Sequence, residues 1–165
     1  MLSQELIEKG FSFANVDTND MQDYIQVNRL CVKCYVDEYP EELGVWDDKN
    51  VVKSFHKKMN HTFFRKLMLG KETAGFLSYD VKPDKIDGIS INFIEKSRNH
   101  GIGSLFLTHI IKLSHEYNVP IFLCVFKTNP ALHLYIRFDF KLSGYRKPIC
   151  IMRYIPSKRQ IGGKL

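Results

Sequence analysis

Two spacings of apolar residues alternate along this chain, and their order predicts its architecture. Apolar positions 102, 105, 106, 110, 113 and 117 fall on one face of a helix running from Gly101 to about Tyr117 and ended by Val119-Pro120. Tyr24, Val27, Cys31 and Cys34 repeat that spacing, with Asp20 as N-cap and Pro40 as the stop after Glu38. A turn-rich stretch from Pro40 to Asp48 leads into a shorter helix from about Asp47 to Met59. Asn129-Pro130 joins a capping side chain to a proline at the first helical position, and Leu132, Leu134, Tyr135 and Phe138 carry that helix to near Asp139. The remaining runs read as strands: Phe11–Val16, Thr62–Leu69, Thr73–Val81, Gly88–Ile94, Ile121–Phe126, Phe140–Tyr145 and Ile149–Ile155. Gly70-Lys71 marks a hairpin, and the unbroken apolar run at Ile121 suits a strand covered on both faces. The order predicts an α/β fold: a mixed, mostly antiparallel twisted sheet of about six to seven strands with about four helices on both faces.

Composition narrows the class. At 165 residues, with 44% hydrophobic and 13% aromatic content, the chain suits one domain with a core of its own. That domain is expected over 1–156, followed by a flexible basic tail over 157–165. The acids in Met1–Lys9 speak against a signal peptide, and no apolar run approaches the roughly 20 residues of a membrane helix, so a cytoplasmic protein with no membrane partner is expected. The net charge of +6 comes from the C-terminal end, where residues 141–165 hold seven Lys and Arg and no acid. Those bases are not interleaved with aromatics, so a solvated terminus is the preferred reading and nucleic-acid binding is disfavoured. Cys31-Val-Lys-Cys34 has no second pair at ligand spacing, so no metal is expected; the two thiols read as the buried face of a helix, and Cys124 and Cys150 as core.

The segment Arg98-Asn99-His100-Gly101-Ile102-Gly103 sits between a predicted strand and a predicted helix. Such a junction gathers unpaired backbone N–H groups at the positive end of a helix dipole, which favours a phosphate or pyrophosphate. Gly101 and Gly103 let the anion approach without a Cβ in the way. No Gly-Lys-Ser/Thr follows, so this is no P-loop, and the third glycine of the dinucleotide fingerprint is missing.

Together with the later segment Asn129 to Phe140, this loop resembles the GNAT superfamily of acyl-CoA-dependent N-acyltransferases. Arg98, Gly101 and Gly103 match Arg/Gln-x-x-Gly-x-Gly/Ala; Asn129, Tyr135 and Phe140 match the family's Asn…Tyr…Phe segment, with Ala131 one place early. The resemblance covers roughly residues 60–155. It implies a GNAT-like sheet and an enzyme that transfers an acetyl group from acetyl-CoA to an amine by direct attack in a ternary complex. The amides of Asn99, His100, Gly101, Ile102, Gly103 and Ser104, with Arg98, would hold the CoA pyrophosphate. The backbone of Phe93, Ile94 and Glu95 would run beside the pantetheine arm, at a splay between strands. Asn129 would bond the cofactor, and Tyr135 would protonate the departing thiolate. Asp139 departs from the family's preferred glycine at a helix C-cap, at a small expected cost in stability.

For the general base, Asp87 aligns with a position that is catalytic in some relatives, although it also suits the turn Asp84–Gly88. Glu38, Tyr39 and Trp46 fall in the N-terminal region that forms the acceptor side in the family. The acceptor is expected to be a small-molecule or protein amine, the protein a monomer or homodimer. A non-catalytic acyl-CoA-binding regulatory module is the alternative.

Overall fold

The computed structural model of the protein describes residues 2–157. The predicted basic tail therefore lies, Ser157 apart, outside the described residues. Seven strands form one sheet: β1 (Phe11–Asn15), β2 (Phe63–Leu69), β3 (Glu72–Val81), β4 (Ile86–Phe93), β5 (Ile121–Phe126), β6 (Lys141–Arg146) and β7 (Ile149–Tyr154). Their spatial order is β1-β2-β3-β4-β5-β7-β6. Every neighbouring pair is antiparallel except β4 and β5, which run parallel.

Among the described residues six α-helices flank the sheet: α1 (Gln4–Glu8), α2 (Met21–Glu38), α3 (Pro40–Leu43), α4 (Asp48–Lys58), α5 (Ile102–Tyr117) and α6 (Ala131–Arg137). Two of them, α1 and α3, are single turns that the sequence reading does not contain; at five and four residues they are too short to show a period. Alternation along the strands sorts the core into two faces. Leu77 and Tyr79 of β3 pack with Leu107 and Ile110 of α5, whereas Phe76 joins Tyr24 of α2 and Phe55 of α4. Tyr24 centres the second face, its ring edge-on to Phe64 and Phe76 at 5.7 and 5.1 Å.

Strand β4 starts two residues before the predicted Gly88. Ser78 of β3 pairs with Ser90 and Asp80 with Asp87, so β4 holds one extra residue there. Gly88 takes a φ of +65° at this bulge, and a Cβ on it would come within 2.6 Å of His61 Cε1. Asp87 is thus a strand residue beside the bulge, not only a turn residue.

The cysteines split differently from the expectation. Cys150 is buried and Cys31 is half-buried, but Cys34 and Cys124 are exposed. Cys34 lies on the exposed side of α2, while its neighbour Tyr35 stacks on Phe126 of β5. Cys124 lies on β5, a strand that β4 accompanies at one register only.

Candidate active site

Strands β4 and β5 meet at one register, Ile86 opposite Ile121, and a further backbone bond runs from Ile86 N to Pro120 O at 2.9 Å. Beyond that point the two strands part. Ile94 N donates to Ala74 O of β3, so by alternation the backbone groups of Ile91 and Phe93 turn the other way, into the opening. The expected splay is therefore present as a wedge with an unpaired strand edge on one side.

The chain leaves β4 through a single 3-10 turn, Glu95–Ser97, and enters the loop that starts at Arg98. Asn99 and Gly101 take φ of +63° and +79°, which turns the backbone sharply before α5 begins at Ile102. None of the amides from Asn99 to Ser104 donates to a protein acceptor, whereas Leu105 N already bonds Gly101 O at 3.0 Å. Gly103 packs α5 against α6, since a Cβ there would stand 3.3 Å from Leu134 Cδ2.

These amides open onto a cavity of about 590 Å³ that also takes in Phe93, Asn129 and Arg137. Arg98, Arg137, His100 and His133 all line it, and no carboxylate does. Ser97 Oγ, buried in its wall, has no hydrogen-bond partner. The unpaired amides at the N-terminus of α5, an orphaned hydroxyl, Arg98 of the loop and Arg137 from the last turn of α6 form an anion site that fits a pyrophosphate. The Arg98 side chain folds back: its Nε donates to Phe93 O at 2.9 Å, and Cys31 Sγ donates to the same carbonyl at 3.3 Å. That fastens the end of β4 to the loop and to α2.

Asn129 performs its capping role, Oδ1 accepting from Ala131 N at 2.9 Å, while its side-chain amide remains free toward the cavity. Pro130 stands at the boundary, with α6 proper starting at Ala131. Asp139 has φ +63°, Phe140 N bonds Tyr135 O at 3.1 Å and Asp139 N bonds Ile136 O at 3.0 Å: a Schellman ending with aspartate in the position that favours glycine.

Tyr135 does not line the anion cavity. It lies on the buried side of α6, 6% exposed, with its ring edge against Phe140. Burial pushes its hydroxyl up to about 12, so it keeps its proton throughout the physiological range. Ile94 and Glu95 also lie outside that cavity; they edge a neighbouring groove of about 560 Å³ beside Asp23 and Thr73.

The acceptor-side candidates scatter. Glu38 accepts from Thr128 Oγ1 at 3.4 Å, and Tyr39 lies under Lys147, whose Nζ pairs with Glu42 at 2.5 Å. Those contacts tie the end of α2 and α3 to the β5–α6 and β6–β7 connections. Trp46 instead donates from Nε1 to Asp48 Oδ1 at 2.8 Å and packs against the α2–α4 core. Asp87 is paired with Lys82 at 2.8 Å and Lys85 at 3.4 Å. Partial burial raises its carboxyl, but the two ammonium groups outweigh this and hold it below the usual carboxylate range.

Sequence reasoning missed Cys31 and Tyr35 as cavity walls, although their spacing of four already places them on one helix face. It also missed Lys58 and His61, which line a second cavity with Asp87. Among the described residues no group of three or more His, Cys, Asp or Glu is placed to hold a metal ion, and no helix is long and apolar enough to cross a membrane.

A family model described as the Acetyltransferase (GNAT) family matches residues 26–140. No curated protein matches the chain. Solved structures with a similar fold include the ribosomal-protein-S18-alanine N-acetyltransferase from Escherichia coli, 15% identical, covering 94% of this chain and 99% of its own, with a TM-score of 0.64. The PaiA N-acetyltransferase from Thermoplasma acidophilum, in complex with coenzyme A, is 14% identical over 88% of this chain and 98% of its own, TM-score 0.64. Arabidopsis thaliana Naa50, in complex with the bisubstrate analogue CoA-Ac-MVNAL, is 16% identical over 88% of this chain and 98% of its own, TM-score 0.60. The family match spans the wedge, the amide loop and the Asn129–Phe140 segment that geometry had already drawn together, and the chain belongs to the GNAT acetyltransferase family.

Proposed function

We propose that the protein is an N-acetyltransferase that uses acetyl-CoA and acetylates an amine by direct attack. The observation that carries this reading is the acid-free cavity where the unpaired amides of Asn99–Ser104 meet the free edge of β4. The amide loop, Arg98 and Arg137 hold the pyrophosphate. The Ile91 backbone and the Phe93 N–H, whose carbonyl is taken by Arg98 and Cys31, offer the pantetheine arm a strand to run beside, and the free amide of Asn129 bonds it further along.

The wedge fixes the thioester between β4 and β5. The neutral amine attacks the thioester carbonyl, a C–N bond forms as the C–S bond breaks, and the amine's proton passes to water. Tyr135, protonated and on the helix that borders the cavity, supplies a proton to the departing thiolate and recovers it from solvent. Asp87, held by Lys82 and Lys85, is a weak proton acceptor; we assign it to the bulge rather than to catalysis. Glu38 and Tyr39, at the contact between α2–α3 and the β5–α6 and β6–β7 connections, are assigned to holding those elements together rather than to the acceptor.

The test is acetyl-CoA-dependent stabilisation followed by an amine panel read by release of free CoA. Saturating acetyl-CoA raises the melting temperature; an unchanged value overturns the reading at its first step. Tyr135→Phe lowers kcat by about 10²-fold while acetyl-CoA affinity stays within about twofold. Equal losses in turnover and affinity would make Tyr135 a packing residue. Binding without CoA release across the panel would make the protein a non-catalytic acyl-CoA module.

A further inference from the structure

A second cavity, of about 720 Å³, lies at the start of β4 and β5. Asp87, Gly88 and Ile89 of β4 line it, whereas Ile91, Asn92 and Phe93 line the anion cavity, so along the strand only Ser90 separates the two. Its other walls are the end of α4 and β5 from Phe122 to Cys124. The free edge of β4 passes from one cavity to the other.

Lys58 is drawn into this second cavity from the last turn of α4. Its Nζ donates to Ser78 Oγ at 2.8 Å, and the fully buried Ser78 hydroxyl in turn donates a hydrogen bond to Gly88 O at 3.0 Å. Among the described residues no carboxylate lies within ion-pair distance of Lys58. Of the two carboxylates facing the cavity, one is ion-paired and the other hydrogen-bonded through a single oxygen. Asp87 is held by Lys82 and Lys85, and Asp80 Oδ1 accepts from both Thr62 N and Thr62 Oγ1 at 3.1 Å. His61, its ring against Gly88, has a buried Nδ1 with no partner. Burial, reinforced by Lys57, lowers Lys58 to about 8; burial and then Lys58 lower His61. A largely buried ammonium without a counter-charge is costly, and here an unpaired imidazole nitrogen stands beside it.

We infer that this cavity is the acceptor pocket and that Lys58 receives a carboxylate borne by the acceptor, so that the substrate class is an amino-acid-like amine rather than a polyamine. The inference rests on the acetyl-transfer reading for the fate of the amine; the carboxylate site itself rests on the surroundings of Lys58. A polycation entering here would meet three ammonium groups, Lys57, Lys58 and Lys82, against two carboxylates, Asp80 and Asp87, of which Asp87 is already held by Lys82 and Lys85.

The experiment uses matched probes, each amino acid beside its decarboxylated amine: L-histidine with histamine, L-lysine with cadaverine, L-tyrosine with tyramine, L-methionine with 3-(methylthio)propylamine. Two readouts are taken on the full chain. One is the ε-carbon resonance of Lys58 in 13C-lysine-labelled protein, assigned by its loss in Lys58→Met; the other is CoA release from acetyl-CoA. At least one amino acid shifts the Lys58 resonance and is acetylated with a kcat/KM at least tenfold above its decarboxylated partner. Lys58→Met abolishes that preference, mainly through KM, and Lys58→Arg restores part of it; unfolding curves of both variants show whether the fold is kept. The inference is overturned if no carboxylate moves the Lys58 resonance, or if the decarboxylated amines are as good or better. Stabilisation by acetyl-CoA in that case leaves the acetyl-transfer reading standing. A shift at Lys58 without any acetyl-CoA binding supports the carboxylate site and removes the acetyl-transfer reading.

Discussion

Lys58 and Tyr135 are both withdrawn from water, and burial moves them in opposite directions, Lys58 down to about 8 and Tyr135 up to about 12. The signs give separate pH windows. A lysine lowered from 10.5 to about 8 destabilises the fold while it is charged, so stability rises as pH climbs between those two values, where the unfolded chain binds more protons. A buried tyrosine acts only above pH 10, where it removes stability because the unfolded chain ionises first. Wild type should therefore gain on Lys58→Met by roughly 2 kcal/mol by about pH 9.5 relative to pH 7. Urea unfolding at intervals between those values measures this; parallel curves for the two proteins would refute it. Lys58 could not be read from sequence, because Ser78 and Gly88, which surround it, lie 20 and 30 residues away. Asn129 and Asp139 could, because a helix cap is decided by backbone geometry within a few residues.

Element by element, sequence reading succeeds where an apolar stripe is long and fails where tertiary pairing decides. Helices α2 and α5 show their faces directly, whereas the single turns α1 and α3 rest on one local signal each, the Ser3 cap and a proline at the first helical position, Pro40. The register of β4 was hidden for another reason: Gly88 reads as a strand boundary and is in fact a bulge inside the strand. The far end of β4 depends on Gly75, which pairs with Phe93; a Cβ there would stand 2.3 Å from Asn92 O and 2.5 Å from Phe93 Cδ1. Neither neighbour can yield without moving the strand that edges the anion cavity. Gly75→Ala should then cost about 1–3 kcal/mol and also weaken acetyl-CoA binding, a pairing of effects that a remote overpacked site would not show. Denaturation with a cofactor titration on the same sample measures both. A loss of stability with unchanged affinity would detach Phe93 from the site.

On the scale of the whole molecule, the two segments that betrayed the family are neighbours for a topological reason. The loop from Arg98 follows β4 and the Asn129 segment follows β5, the only parallel pair among the described strands. Both therefore leave from the carboxyl ends of adjacent strands, at the place where those strands part. Residues about 30 apart in sequence converge there because the α5 crossover returns the chain to the amino end of the pair and β5, parallel to β4, carries it back to the same carboxyl end. The wedge is also the one interior seam at which the sheet lacks its ladder, which gives ligand binding a local signature. Acetyl-CoA at about 100 times its Kd adds about 2.7 kcal/mol to stability, which for a chain of this size raises Tm by roughly 5–10 °C. In hydrogen exchange, the added protection should concentrate at the amides of Asn99–Ser104 and at Ile91 and Phe93, which face no protein acceptor in the wedge. The β1–β2 ladder, fully paired from Phe11–Leu69 to Asn15–Arg65, should change only as far as global stability does. Protection spread evenly over both regions would mean that acetyl-CoA tightens the fold without occupying the wedge, and the site would then have to be sought elsewhere.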